Sequence, residues 1–152
     1  MRLFVPWAVL LLGTACMSPL PSTLADGDGE WVLTGYTYER RSGSEVVATF
    51  EADETGTFSF TAGEKDIEDG FGYATWWEPV LIDDVDVFVP VAEGFSYHTH
   101  KDGTMQLSWH SGHTEDWVPV TVDRDRVVAE SESEHGQPFP DQIAHRTWEL
   151  TR

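Results

Sequence analysis

The sequence predicts an all-β domain assembled from many short strands. Three observations carry that expectation. From Trp31 onward, no window of about 11 residues places apolar side chains at helical spacing. Val, Thr, Phe, Tyr and Trp cluster instead in short runs separated by Gly, Asp and Pro. The segment from Phe95 to His110 doubles back on itself with its apolar residues on one face. Hydrophobic residues make up 40% of the 152 and aromatics 12%, enough for a single folded core and unlike a disordered acidic chain.

The first segment reads as an address. Residues 1–15, MRLFVPWAVLLLGTA, place a positive Arg2 before an apolar run and end in small residues. The run falls short of the roughly 18–20 residues that span a bilayer, so it reads as an export signal. Leu12-Gly13-Thr14-Ala15-Cys16 resembles the lipobox of bacterial lipoproteins. That resemblance implies cleavage before Cys16, lipidation of its thiol, and anchoring to a membrane of the cell envelope, with the outer membrane favoured by Met17. An ordinary secretory signal is the alternative. Cys16 is the chain's one cysteine, so no internal disulfide and no zinc site built on cysteines is available. Two or more acyl chains anchor stably where one does not.

Residues 16–29 then read as the lipidated cysteine and a flexible linker, because Pro, Ser, Thr, Asp and Gly dominate it. Residues 30–152 form the folded domain, with strands expected near 31–40, 45–51, 57–61, 71–77, 80–89, 94–100, 104–110, 117–122, 126–130 and 146–151. A single helical turn is expected at Glu64–Asp69.

Three hairpins can be placed. Ala52-Asp53-Glu54-Thr55-Gly56 is expected to turn the chain, pairing Phe50 with Phe58 and Ala48 with Phe60. Lys101-Asp102-Gly103 fits a three-residue loop with a left-handed glycine. It sets Phe95 against Trp109, Tyr97 against Leu107 and Thr99 against Met105, with His98, His100 and His110 on the opposite, polar face. Asp123-Arg124-Asp125 makes the third turn, and Pro119 before it marks an edge or bulge.

Charge narrows the function. With 27 acidic and 9 basic residues the formal net charge is -18, which argues against nucleic acid and against electrostatic attachment to anionic lipid. His98 and His100 supply two imidazoles on one strand face, but His110 lies roughly 13 Å along the sheet, too far to share an ion. The acidic runs read as solvated surface. No Gly-x-Ser-x-Gly, Walker loop, Gly-x-Gly-x-x-Gly or His-Glu-x-x-His is present, so no enzyme class and no cofactor is indicated. Aromatic residues are the richest feature. They fit either a solid core or a pocket for an apolar molecule.

Gly29-Glu30-Trp31, at the start of the first strand, resembles the Gly-x-Trp signature of lipocalins. Thr49 to Phe58 looks like the hairpin of bacterial lipocalin-like domains, and Arg146-Thr147-Trp148-Glu149-Leu150-Thr151-Arg152 looks like their closing strand. The resemblance implies an antiparallel up-and-down lipocalin-like barrel of about eight to ten short strands, with an open β-sandwich as the alternative. It also implies that Trp31 closes one end of the barrel under Arg146 or Arg152. On this reading the protein binds, without catalysis, a small apolar or amphipathic ligand through Trp31, Phe50, Phe58, Phe60, Tyr97, Leu107 and Trp109. The rival reading is an acidic envelope protein with a filled core and a basic protein partner.

Overall fold

The computed structural model describes residues 20–64, 68–83, 85–134 and 141–152. The expected export signal, Cys16 and residues 65–67 of the expected helical turn lie outside the described residues. One short helix, α1 (Leu20–Leu24), precedes eight strands: β1 (Glu30–Ser42), β2 (Glu45–Ala62), β3 (Asp69–Ile82), β4 (Val85–Thr99), β5 (Met105–Trp109), β6 (Thr114–Asp123), β7 (Arg126–Glu134) and β8 (Gln142–Thr151). Every strand pairs antiparallel with the next, and β8 returns to β1, so the sheet closes into a barrel. The fold is a lipocalin-like up-and-down barrel, and closure excludes the open sandwich.

The ten expected strands become eight because three expected breaks, at 52–56, 78–79 and 90–93, run on as strand, while one reversal forms inside an expected strand. Residues 52–56 do not form a hairpin. They run through the middle of β2, where Phe58 opposes Trp31 and Phe50 opposes Tyr38. The pairing of Phe50 with Phe58 and of Ala48 with Phe60 is therefore wrong. The register on β1 steps from Leu33 to Gly35 while β2 steps from Gly56 to Asp53, which leaves an extra residue on β2. The Asp and Gly that read as a turn form a β-bulge, which uses the same residue types. The expected strand at 80–89 straddles a real reversal. Ile82 pairs with Val85 across it, and Asp83 takes a φ of 50°, a left-handed conformation that Asp tolerates better than most residues.

The other two hairpins hold. Phe95 pairs with Trp109, Tyr97 with Leu107 and Thr99 with Met105. Gly103 takes φ 92° in the turn that joins them. The β6–β7 register shifts between Pro119 and Thr121, the bulge that proline implies.

The linker expectation fails for residues 20–29. Leu20 and Leu24 are 0% and 1% exposed, and α1 packs on β6 and β2 at one end of the barrel. Burial of two leucines is worth about 3–6 kcal/mol, enough to order a five-residue helix that would not persist alone. Gly29 makes the join. Its φ is 69°, and a Cβ there would overlap the carbonyl oxygen of Phe60, whose N–H donates to the Gly29 carbonyl at 2.9 Å.

Alternation along the strands sends one face inward. The interior is a continuous aromatic stack. Tyr97 meets Phe60 at 6.0 Å between ring centroids, Phe60 meets Phe58 at 5.9 Å, and Phe58 meets Trp117 at 5.4 Å. The series continues through Trp117–Trp148 at 5.6 Å and Trp148–Trp76 at 5.9 Å. Outside, Phe71, Tyr73 and Trp77 of β3 face solvent.

Candidate ligand site

The seven aromatic and aliphatic residues expected to line a pocket divide into four groups. Phe58, Phe60, Leu107 and Tyr97 are buried within the stack, where ring packs on ring. Trp31 sits at the closed end, donating its indole N–H to the Leu24 carbonyl at 2.8 Å. Phe50 stands apart toward the other end, packed on Tyr38 and Phe88 at 5.9 Å each. Trp109 borders a cavity.

That cavity measures about 50 Å³. Three indoles form its walls: Trp76 of β3, Trp109 of β5 and Trp148 of β8. Trp76 lies 5.0 Å from Trp109 and 5.9 Å from Trp148, centroid to centroid. Glu115 and Arg146 reach it from β6 and β8, and Glu93, Ser111 and His113 stand at its rim. Glu93 accepts a hydrogen bond from the backbone N–H of Ser111, which fixes the rim.

A buried polar network backs the cavity. Glu78 of β3 accepts hydrogen bonds from the Tyr36 hydroxyl and the Trp76 indole, each at 2.8 Å, and from Arg146 Nη2 at 2.7 Å. Arg146 Nη1 donates to Ser133 Oγ at 2.7 Å, and its guanidinium lies 5.2 Å from the centre of the Tyr38 ring. Glu115 accepts from the Trp117 indole and from Ser131 Oγ, both at 3.0 Å, and its Oε2 is 4.0 Å from Arg146 Nη1. Ser131 in turn accepts from the Trp148 indole at 3.0 Å. Three indole N–H groups are thus satisfied inside the barrel, as buried polar groups require.

The network shifts its members in predictable directions. Burial alone would lower the Arg146 pKa, but Glu78, Tyr36 and Glu115 together raise it well above the usual arginine value, so the side chain is a permanent cation. Tyr36 is raised well above an ordinary tyrosine by burial and then by the Glu78 charge. Tyr38 is raised to about 12, chiefly by burial.

Sequence reasoning missed Glu78, Glu115 and this role of Arg146. A signal existed. Trp76-x-Glu78, Glu115-x-Trp117 and Arg146-x-Trp148 each set a charge two residues from a tryptophan, hence on the same face of a strand. The resemblance gave Arg146 or Arg152 as the cover of Trp31. Arg152 takes that place, 4.5 Å from the ring centre, while Arg146 turns into the barrel.

His98 and His110 are exposed on the outer face of the sheet, and His100 is half-buried beside His98. His98 bonds to Asp69 at 2.5 Å, and its ring centre is 5.2 Å from that of His100. Among the described residues no group of three or more His, Cys, Asp or Glu is arranged to hold a metal.

No protein-family model matches the chain. No curated protein matches it either. Solved structures do. Lobster apocrustacyanin A1 is similar with a TM-score of 0.50 at 10% identity, covering 88% of this chain and 63% of that one. Apocrustacyanin C2 gives 0.50 at 9% identity with the same coverage, 88% and 63%. A redesigned β-barrel gives 0.48 at 14% identity, covering 90% and 96%. The chain therefore spans about 63% of the length of each crustacyanin chain it matches. At such low identity the crustacyanin likeness is one of fold: this chain has the architecture of a lipocalin-like barrel, with an interior of its own.

Proposed function

We propose that this protein is an exported, lipid-anchored binding protein of the cell envelope. It holds one small amphipathic ligand, without catalysis, at the tryptophan-lined cavity of its barrel. One observation carries the reading: the cavity between Trp76, Trp109 and Trp148 borders both an apolar wall and the buried charges Glu115 and Arg146. Small-molecule sites are built this way, with apolar walls and a few placed polar groups. Phe58, Phe60 and Leu107 are themselves buried in the packed interior, so this reading rests on the cavity beside Trp109. The export and anchoring half of the proposal rests on residues 1–16 and their likeness to a lipobox.

Native mass spectrometry of the protein purified gently from its host tests the binding reading. The expected result is a non-covalent adduct that survives desalting and leaves on denaturation. A bare polypeptide mass, with no uptake from a mixture of lipids and small metabolites, would favour the second reading, an acidic interaction protein with a filled core. The dense ring packing around Phe58 supports that alternative. Its partner would be basic, and that association would weaken steeply with salt. Anchoring is tested separately: Cys16→Ser should abolish incorporation of a labelled fatty acid and release the protein from membranes.

A further inference from the structure

We propose that the cavity takes a methylated ammonium group, the cationic end of an amphipathic molecule. This rests on the reading that the cavity holds a ligand, and it names the chemistry of the part that enters. Four observations converge.

The first is charge. Inside the barrel, Glu78 and Glu115 face a single guanidinium, Arg146, which leaves one negative charge in excess. Arg146 is already spent on Glu78 and Ser133 at 2.7 Å each, so it holds no free fork for a ligand anion. Glu115 accepts from the Trp117 N–H and the Ser131 hydroxyl, and its side chain is 2% exposed. Buried charge calls for a counter-charge, and the cavity is where one fits.

The second is the wall. Three indole rings meet at the cavity, and indole faces attract cations more strongly than the other aromatic side chains do. The three rings pack on one another at 5.0 and 5.9 Å between centroids, so a cation would rest against their common surface rather than between them.

The third is size. On the scale where one water needs about 10–15 Å³, a cavity of about 50 Å³ holds three to five water-sized groups. A nitrogen with three methyl groups is four.

The fourth is hydrogen bonding. Each oxygen of Glu115 already accepts one hydrogen bond. A primary ammonium, with three donors, would be poorly served among indole faces. A methylated ammonium needs no acceptor. The rim residues Glu93, Ser111 and His113 lie beside the mouth, where the remainder of the molecule would emerge.

The test is a tryptophan-fluorescence titration of the full chain at constant ionic strength. The probes are choline and its neutral analogue, in which a carbon replaces the nitrogen. Choline should bind at least about tenfold more tightly than the analogue, the size of effect expected from one desolvated cation–π contact. Glu115→Gln should remove most of that preference and leave the analogue unchanged. Glu93→Gln, at the rim, should lower choline affinity by about threefold, and it serves if the Glu115 variant fails to fold. Equal binding of the two probes would overturn the ammonium proposal while leaving the cavity a ligand site. Binding of neither would also overturn it, and the native mass measurement then decides separately whether the barrel holds any ligand.

Discussion

The guanidinium of Arg152 lies 4.5 Å from the centre of the Trp31 ring. Its Nη2 also donates to the carbonyls of Thr23 and Asp26, at 3.0 and 2.6 Å. One terminal side chain therefore ties three things together: the first strand, the last strand and the segment that carries α1. Replacing it tests how the barrel end is closed. Arg152→Ala should cost about 1–3 kcal/mol, combining a cation–π contact with lost charge-assisted hydrogen bonds. Urea denaturation measures the loss. Limited proteolysis should then cut near residues 20–29 first. Unchanged stability would mean that α1 holds its place through Leu20 and Leu24 alone.

Gly29 is the second point of closure. At φ 69°, with the Phe60 carbonyl where a Cβ would stand, Gly29→Ala must shift the backbone between α1 and β1. A loss above about 1 kcal/mol is expected, since strain at a left-handed site exceeds the entropic gain of alanine. The midpoint of thermal unfolding checks it.

Phe58 is the centre of the aromatic stack. It contacts Phe60, Phe95, Trp109, Trp117 and Trp148 at centroid distances of 5.4 to 6.5 Å. Phe58→Ala should cost about 3–5 kcal/mol, transfer plus cavity. Phe50→Ala, at a partly buried ring, should cost less than about 2 kcal/mol. Similar losses at the two positions would contradict the division of the interior into a packed stack and a separate cluster around Phe50.

Arg146 is the guanidinium that faces two carboxylates inside the barrel, Glu78 and Glu115. Arg146→Met should destabilise by about 3–5 kcal/mol, because Glu78 and Glu115 would be left buried without a cation. Adding Glu78→Gln to that variant should recover part of the loss. A double-mutant cycle reads the coupling directly, and additivity would show that the pair contributes nothing as a pair.

The tyrosines give stability a pH dependence. Tyr36, Tyr38 and Tyr97 are all raised by burial, Tyr38 to about 12. A raised folded pKa means the native state holds its proton longer than the unfolded chain does. The stabilisation is fully present below about pH 10, the unfolded value, and is lost as pH rises through the folded values. Denaturant midpoints should therefore fall between about pH 10 and 12, while tyrosinate absorbance of the native protein lags behind that of the unfolded chain.

Local pattern carried the fold class and the register of one hairpin, β4 with β5. Alternation of apolar and polar residues is a local property, so the β5 hairpin with β4 could be aligned pair by pair, and Pro119 could be marked as a bulge. The Gly-x-Trp start was legible as a resemblance, but the reason for its glycine, a left-handed backbone against the Phe60 carbonyl, lies in the tertiary structure. Other features depended on residues far apart in the chain. Whether Asp53 to Gly56 turns or bulges was settled by β1, which pairs with β2 along both sides of that segment. Whether Leu20 and Leu24 belong to a linker was settled by the open barrel end they could fill. Glu78, Glu115 and Arg146 come from three strands, and each read alone is an ordinary surface charge. Only closure of the barrel, which turns one face of every strand toward a common axis, made them a buried network with a tryptophan-lined cavity beside it.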